Sequence, residues 1–132
     1  MKKALVEVSF PGDKRVDARV GKFLINTDQS VEFGGRESAP EPFQLFLASL
    51  GTCAGIYALS YCLARDIHTD GMSLGMACEW DDEKKRYAKM SFHLSLPEGF
   101  PEKYKKAIIR SMDLCAVKKH MMDPPVFEIT TS

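Results

Sequence analysis

The sequence predicts an α+β domain, on three observations. Twenty-three consecutive uncharged residues, Pro42–Ala64, form one apolar block of helical length. Short β-rich runs punctuated by glycine and proline fill the chain before it. A long hairpin pattern and a second, amphipathic helix follow it. The order read from these runs is β-β-β-α-β-β-α-β, which groups strands instead of alternating them with helices.

Residues 4–10, Ala-Leu-Val-Glu-Val-Ser-Phe, are rich in β-formers and end at Pro11-Gly12, a turn pair. Arg15–Val20 is a second strand, Gly21 punctuates, and residues 22–27 are a third. Residues 30–33 add a short segment before Gly34-Gly35. Glu37-Ser-Ala-Pro-Glu-Pro42 is a polar, proline-stiffened connector, and Pro42 suits the first turn of the helix it opens. Gly51 and Gly55 lower that helix's intrinsic propensity, so a neighbour is expected to approach its backbone closely there.

Past the helix, residues 72–80 return to strand, Asp81 to Arg86 form a charged turn, and residues 88–96 run back. Met90, Phe92 and Leu94 alternate with Lys89, Ser91 and His93, the period of a half-buried strand. Pro97 to Pro101 break the sheet, and Glu102 stands in the first turn of a second helix. Its stripe is Tyr104, Ala107, Ile108 and Met112, with Lys103, Lys105, Lys106 and Arg110 turned to water. Residues 117–122 add a helical turn, Asp123-Pro-Pro125 stops it, and residues 126–130 close the chain as a strand.

A chain of 132 residues supports one domain with its own core, residues 1–132. Its 18 basic and 18 acidic side chains cancel, which gives no electrostatic case for nucleic acid or an acidic membrane. The start lacks the apolar stretch of a signal peptide, because Glu7 interrupts it. The uncharged block is long enough to span a bilayer. However, Gln44, Ser49, Gly51, Thr52, Gly55 and Ser60 interrupt it, and the expectation is a soluble core helix. A helix apolar on every side needs cover on every side. One sheet covers one face, and a second copy of the chain would cover the other, so a homodimer is expected.

Four cysteines, 53, 62, 78 and 115, lack the density of a disulfide scaffold and point to a reducing cytoplasm. Cys53 sits at the centre of the uncharged helix. Its helical face carries Ser49, Ile56, Tyr57 and Ser60. It is either a small buried hydrophobe or a protected reaction centre. Cys115 precedes Val117-Lys-Lys-His120, and those cations would lower its pKa. Cys62 and Cys78 have no such setting and read as packing. Cys115 and His120 lack further ligands at zinc spacing, so no metal is expected. No phosphate- or dinucleotide-binding glycine motif occurs, so no cofactor of those kinds is expected.

The run Pro42-Phe-Gln-Leu-Phe-Leu-Ala-Ser-Leu-Gly-Thr-Cys53-Ala closely resembles the P-x-E-L-L-L-A-A-L-G-x-C signature of OsmC-like proteins. Cys115-Ala-Val-Lys-Lys is similar to their second cysteine motif, C-P-V-H/S-x. Gly34-Gly35 before a proline-rich connector and the element order also match, across the whole chain. The resemblance implies an OsmC-like fold, an intertwined homodimer with its active sites at the subunit interface. It also implies the chemistry of the family's organic hydroperoxide resistance members, which are thiol-dependent peroxidases. Cys53 would be the peroxidatic thiol and Cys115 the resolving one, with an external dithiol or lipoyl-type reductant protein completing the cycle.

The chain departs from that family at two positions. Phe43 follows the helix-opening proline, where the peroxidases carry a glutamate, and Ala116 follows the second cysteine, where they carry proline. The glutamate's arginine partner has its nearest match in Arg15. Phe43, Phe46 and Tyr57, with Leu50 and Ile56, would give an apolar substrate pocket suited to organic hydroperoxides. Without the glutamate pair, burial alone would raise the Cys53 pKa. Two functions therefore stand side by side: a hydroperoxide reductase, and a binding or sensing protein that uses the interfacial pocket for a small apolar ligand.

Overall fold

In the computed structural model, which describes residues 5–132, three antiparallel strands open the chain. They are β1 (Val6–Gly12), β2 (Arg15–Val20) and β3 (Phe23–Thr27), with β2 in the centre. The expected start of the first strand at Ala4 lies outside the described residues. The first turn falls at Asp13-Lys14, two residues after the expected Pro11-Gly12. β1 carries an irregularity between Ser9 and Gly12, where the register shifts. Proline is tolerated there because β1 is an edge strand and an irregular stretch makes no regular ladder bond. Residues Val31–Phe33 form a 3-10 turn and not a strand.

Register places Val6, Val8, Ala18, Val20, Phe23 and Ile25 on one face of this sheet. That face is largely open to solvent; Phe23 is 64% exposed and Val8 53%.

The loop after β3 is organised by one buried carboxylate. Asp28 accepts hydrogen bonds from the Ser38 hydroxyl (2.6 Å) and from the backbone N–H groups of Gln29, Ser38 and Arg36 (2.8, 3.1 and 3.3 Å). The Ser38 hydroxyl first, then these N–H groups, hold its pKa down to about 2. Gly35 is required in the same loop, since a Cβ there would lie 2.0 Å from the Gln29 carbonyl oxygen. The loop ends at the helix α1 (Pro42–Ala64). The Glu41 N–H donates to Gln44 Oε1 at 2.9 Å, half of a capping box, and Pro42 takes the first helical position as expected.

The backbone divides into two units, one running to Ala48 and one from Ser49 onward. In the second, α1 continues to Ala64 and is followed by the hairpin β4 (Ser73–Asp81) and β5 (Arg86–Ser95). The hairpin pairs Leu74 with Leu94, Met76 with Phe92 and Cys78 with Met90, the alternation expected of it. Met76 accounts for Gly51, whereas Gly55 has room for a Cβ. A Cβ at Gly51 would meet Met76 Sδ at 2.9 Å, and one at Gly55 would meet Leu74 Cδ2 at 3.9 Å. After a 3-10 turn at Glu102–Tyr104 come α2 (Lys105–Met112) and α3 (Ala116–Met122). Ala54, Ala58, Tyr61 and Cys62 of α1 close on Ile108 and Met112 of α2 to make the core. Small alanines let the two helices approach.

Three fold expectations change. The strands make two antiparallel sheets, not one, because each pairing joins sequence neighbours across a short turn. The last strand does not form: residues 123–132 carry no regular structure, and Val126 and Ile129 are 97% and 96% exposed. A strand gains its hydrogen bonds only from a neighbour, and none of the described strands pairs with this segment. The central helix is buried along one stripe only, Leu50, Ala54, Ala58, Tyr61 and Cys62. Ile56 and Leu63, on the other side, are 52% and 64% exposed.

Candidate functional site: a thiol pair

Cys53 lies on α1 one residue before Ala54, which packs in the core, so its side chain sits at the edge of the helix–helix contact. α2 ends at Met112, and the chain then turns through Asp113, Leu114 and Cys115, with the Cys115 N–H donating to the Met112 carbonyl at 3.3 Å. Cys115 caps α3, since its own carbonyl accepts the Lys119 N–H at 3.0 Å. The Ser111 hydroxyl donates to the Tyr57 carbonyl at 3.3 Å and ties this turn to α1 one helical turn past Cys53.

The arrangement brings the two cysteines together within one chain, with the Cys115 thiol and the backbone N–H groups of Val117 and Ala116 as the donors facing the Cys53 sulfur. These donors, the Cys115 thiol foremost, pull the Cys53 pKa below the ordinary thiol value against the opposing effect of burial. Cys115 behaves oppositely. Burial first, and its donated bond to Cys53 second, push its pKa up. It is 2% exposed, while Cys53 is half-buried.

Two sequence expectations about charge are corrected here. Burial does not dominate at Cys53, because the Cys115 thiol first, and then the N–H groups that open α3, outweigh it. The cations after Cys115 do not lower its pKa. Lys118 Nζ turns to Asp113 Oδ1 at 2.6 Å, and His120 Nδ1 lies 2.6 Å from the Ala116 carbonyl oxygen.

Beside the pair is a cavity of about 300 Å³, lined by Ala54, Met90, Phe92, Ile109, Met112, Asp113, Cys115 and Lys118. Sequence reasoning missed this lining and the Ala116 and Val117 donors. The alternation of Met90 and Phe92 was visible, but which face a hairpin turns toward the thiols was not. Of the other expected site residues, Tyr57 is half-buried. Phe43 and Phe46 stack in the first turns of α1, with ring centroids 5.2 Å apart. Arg15 opens β2, exposed. None of these three phenyl or phenol rings lines the cavity. Cys62, fully buried and with its pKa raised by that burial, and Cys78, half-buried on β4, are packing residues. Among the described residues no three His, Cys, Asp or Glu side chains gather as a metal site.

Comparison with known proteins bears on the fold and the family. No curated protein matches the sequence. Among solved structures, a Psychrobacter arcticus protein named for an osmotic stress and detoxification response is 20% identical, with a TM-score of 0.75 over 90% of this chain and 88% of that one. An OsmC-like protein from Mycoplasma pneumoniae is 16% identical, with a TM-score of 0.73 over 93% and 89%. An organic hydroperoxide resistance protein, OsmC, from Legionella pneumophila is 15% identical, with a TM-score of 0.62 over 92% and 90%. The OsmC-like protein family matches residues 35–130, a span that holds both cysteines and most of the chain, and the chain belongs to that family.

Proposed function

We propose that this protein is a thiol-dependent peroxidase that reduces organic hydroperoxides. The reading is carried by the pairing of the two thiols within one chain, which lowers the Cys53 pKa while burial raises that of Cys115. The Cys53 thiolate attacks one peroxide oxygen, the O–O bond breaks, and an alcohol leaves after protonation. Cys53 is then a sulfenic acid. Cys115 attacks its sulfur and releases water, and a disulfide forms that an external dithiol reduces. Membership of the OsmC-like family and the fold shared with a hydroperoxide resistance protein support this class of chemistry.

The open stripe of α1 at Ile56 and Leu63, the open face of the first sheet and the unpaired 126–130 segment support a homodimer, and four free cysteines fit a reducing cytoplasm. The second reading, a binding or sensing protein, rests on Phe43 in place of the family glutamate and on the apolar cavity. Steady-state assays with cumene hydroperoxide and a dithiol separate the two. Cys53→Ser should abolish turnover with the fold retained; a wild-type protein with no turnover would support ligand binding instead.

A further inference from the structure

We propose that Ser111 is a positioning residue of the thiol centre. Its hydroxyl, bonded to the Tyr57 carbonyl, fixes the register of α2 on α1 and so holds Cys115 against Cys53. This deepens the proposed function and rests on Cys53 and Cys115 working as a pair.

The two elements meet as an antiparallel ladder. Cys53, Tyr57 and Tyr61 follow one another along α1 in four-residue steps, so they share one face of the helix. In the opposite direction along the chain they meet Cys115, Ser111 and Tyr104. The Tyr61 and Tyr104 rings pack edge to face with centroids 6.1 Å apart, and the Ser111 hydroxyl donates to the Tyr57 carbonyl at 3.3 Å. The Ser111 rung therefore stands next to the thiols, four residues from Cys115 on one side and opposite the residue four past Cys53 on the other.

Register decides whether the two sulfurs can join. A disulfide needs its Cα atoms about 4.4–6.8 Å apart, and one residue of slip along a helix is about 1.5 Å. Apolar contact is non-directional and sets no such position by itself. The core side chains of α1 closest in sequence to Cys53 are Ala54 and Ala58, which have little to interlock with Ile108 and Met112. A hydrogen bond is directional and supplies the missing constraint. This one is part-buried, where the lower dielectric strengthens it. The ion pair of Asp113 with Lys118 does not do the same work. Both of its residues lie beyond α2, so it shapes the turn that carries Cys115 without tying that turn to α1.

The test reads the pair in glutathione buffers, so peroxide reactivity does not enter. The Cys53 thiolate attacks oxidised glutathione and releases one reduced glutathione; the Cys115 thiolate then attacks the Cys53 sulfur and releases the second. Two electrons pass to glutathione and one Cys53–Cys115 bond forms, with an equilibrium constant that measures how well Cys115 is placed. Ser111→Ala leaves only part of the reduced protein in register and should lower that constant about two- to fivefold, the upper limit being one hydrogen bond of about 1 kcal/mol. It should also raise the alkylation midpoint of Cys53, whose leading donor is the Cys115 thiol. Ser111→Thr keeps the hydroxyl and should hold both values at those of the wild type. Urea midpoints are measured alongside. A Ser111→Ala protein that loses stability but keeps the constant and the midpoint has lost a merely structural bond, which overturns the proposal. Ser111→Thr matching Ser111→Ala, or no Cys53–Cys115 disulfide in the wild type, overturns it as well. The expected fall in a protein inert to hydroperoxide would sink the peroxidase reading and leave this one standing; full peroxide turnover with an unchanged constant would do the reverse.

Discussion

The Cys115 thiol faces Cys53 across the junction of α1 and α3, and their pairing, with burial at Cys115 and N–H groups at Cys53, drives the two sulfurs to opposite acidities. A nucleophile and its resolving partner need this asymmetry, since one must be ionised while the other waits protonated.

The asymmetry predicts two separate titrations. Alkylation by iodoacetamide, followed residue by residue across pH, should show Cys53 reacting with a midpoint below 9.0 and Cys115 with a midpoint above it. Cys115→Ala removes the leading donor and should move the Cys53 midpoint up. Ala116→Pro removes the weakest of the three donors at the first position of α3, where proline is accommodated. The midpoint should then rise by less than in Cys115→Ala. A larger rise would mean that the N–H groups, and not the thiol, govern Cys53.

Asp28 makes the fold acid-sensitive through the loop it holds. Its folded pKa of about 2 lies below the ordinary 3.8, so folding favours the carboxylate. The stability it contributes is full above about pH 4 and is lost as pH falls toward 2. Urea midpoints of wild type and Asp28→Asn should therefore differ most at neutral pH and converge in acid. A constant gap across that window would contradict the assigned role.

Two glycines should respond differently to the same change. Gly35→Ala drives a Cβ into the Gln29 backbone, which cannot move aside, and should cost about 3 kcal/mol or more. Gly51→Ala meets the flexible sulfur of Met76 and gains up to about 1 kcal/mol of helix propensity, so its net effect should be small. Thermal unfolding of the two variants decides this.

The uncovered stripe of α1 predicts its own test. Ile56→Asp adds a charge at a side chain that is 52% exposed in the single chain, so the fold should survive. Light scattering should show wild-type dimers and a variant shifted to monomers. Unchanged assembly would place the dimer contact elsewhere.

Much of the fold was legible because its signals are local. The uncharged block gave α1 its observed ends, the alternation of Met90, Phe92 and Leu94 gave the hairpin, and Gly51, though not Gly55, marked where a β4 side chain approaches closely. Local signals failed where a partner decides the outcome. Residues 126–130 have strand composition, but composition supplies no neighbouring edge. Both cysteines were visible in their motifs. Their acidities were not, because backbone N–H groups have no sequence signature, and Lys118 could be read as a partner of Cys115 when it pairs with Asp113.

The most direct measurement is an anaerobic thiol count before and after one equivalent of cumene hydroperoxide, with peptide mapping of any disulfide. The account predicts rapid loss of two thiols and a Cys53–Cys115 link within one chain. Four thiols surviving, or a link that involves Cys62 or Cys78, would contradict it.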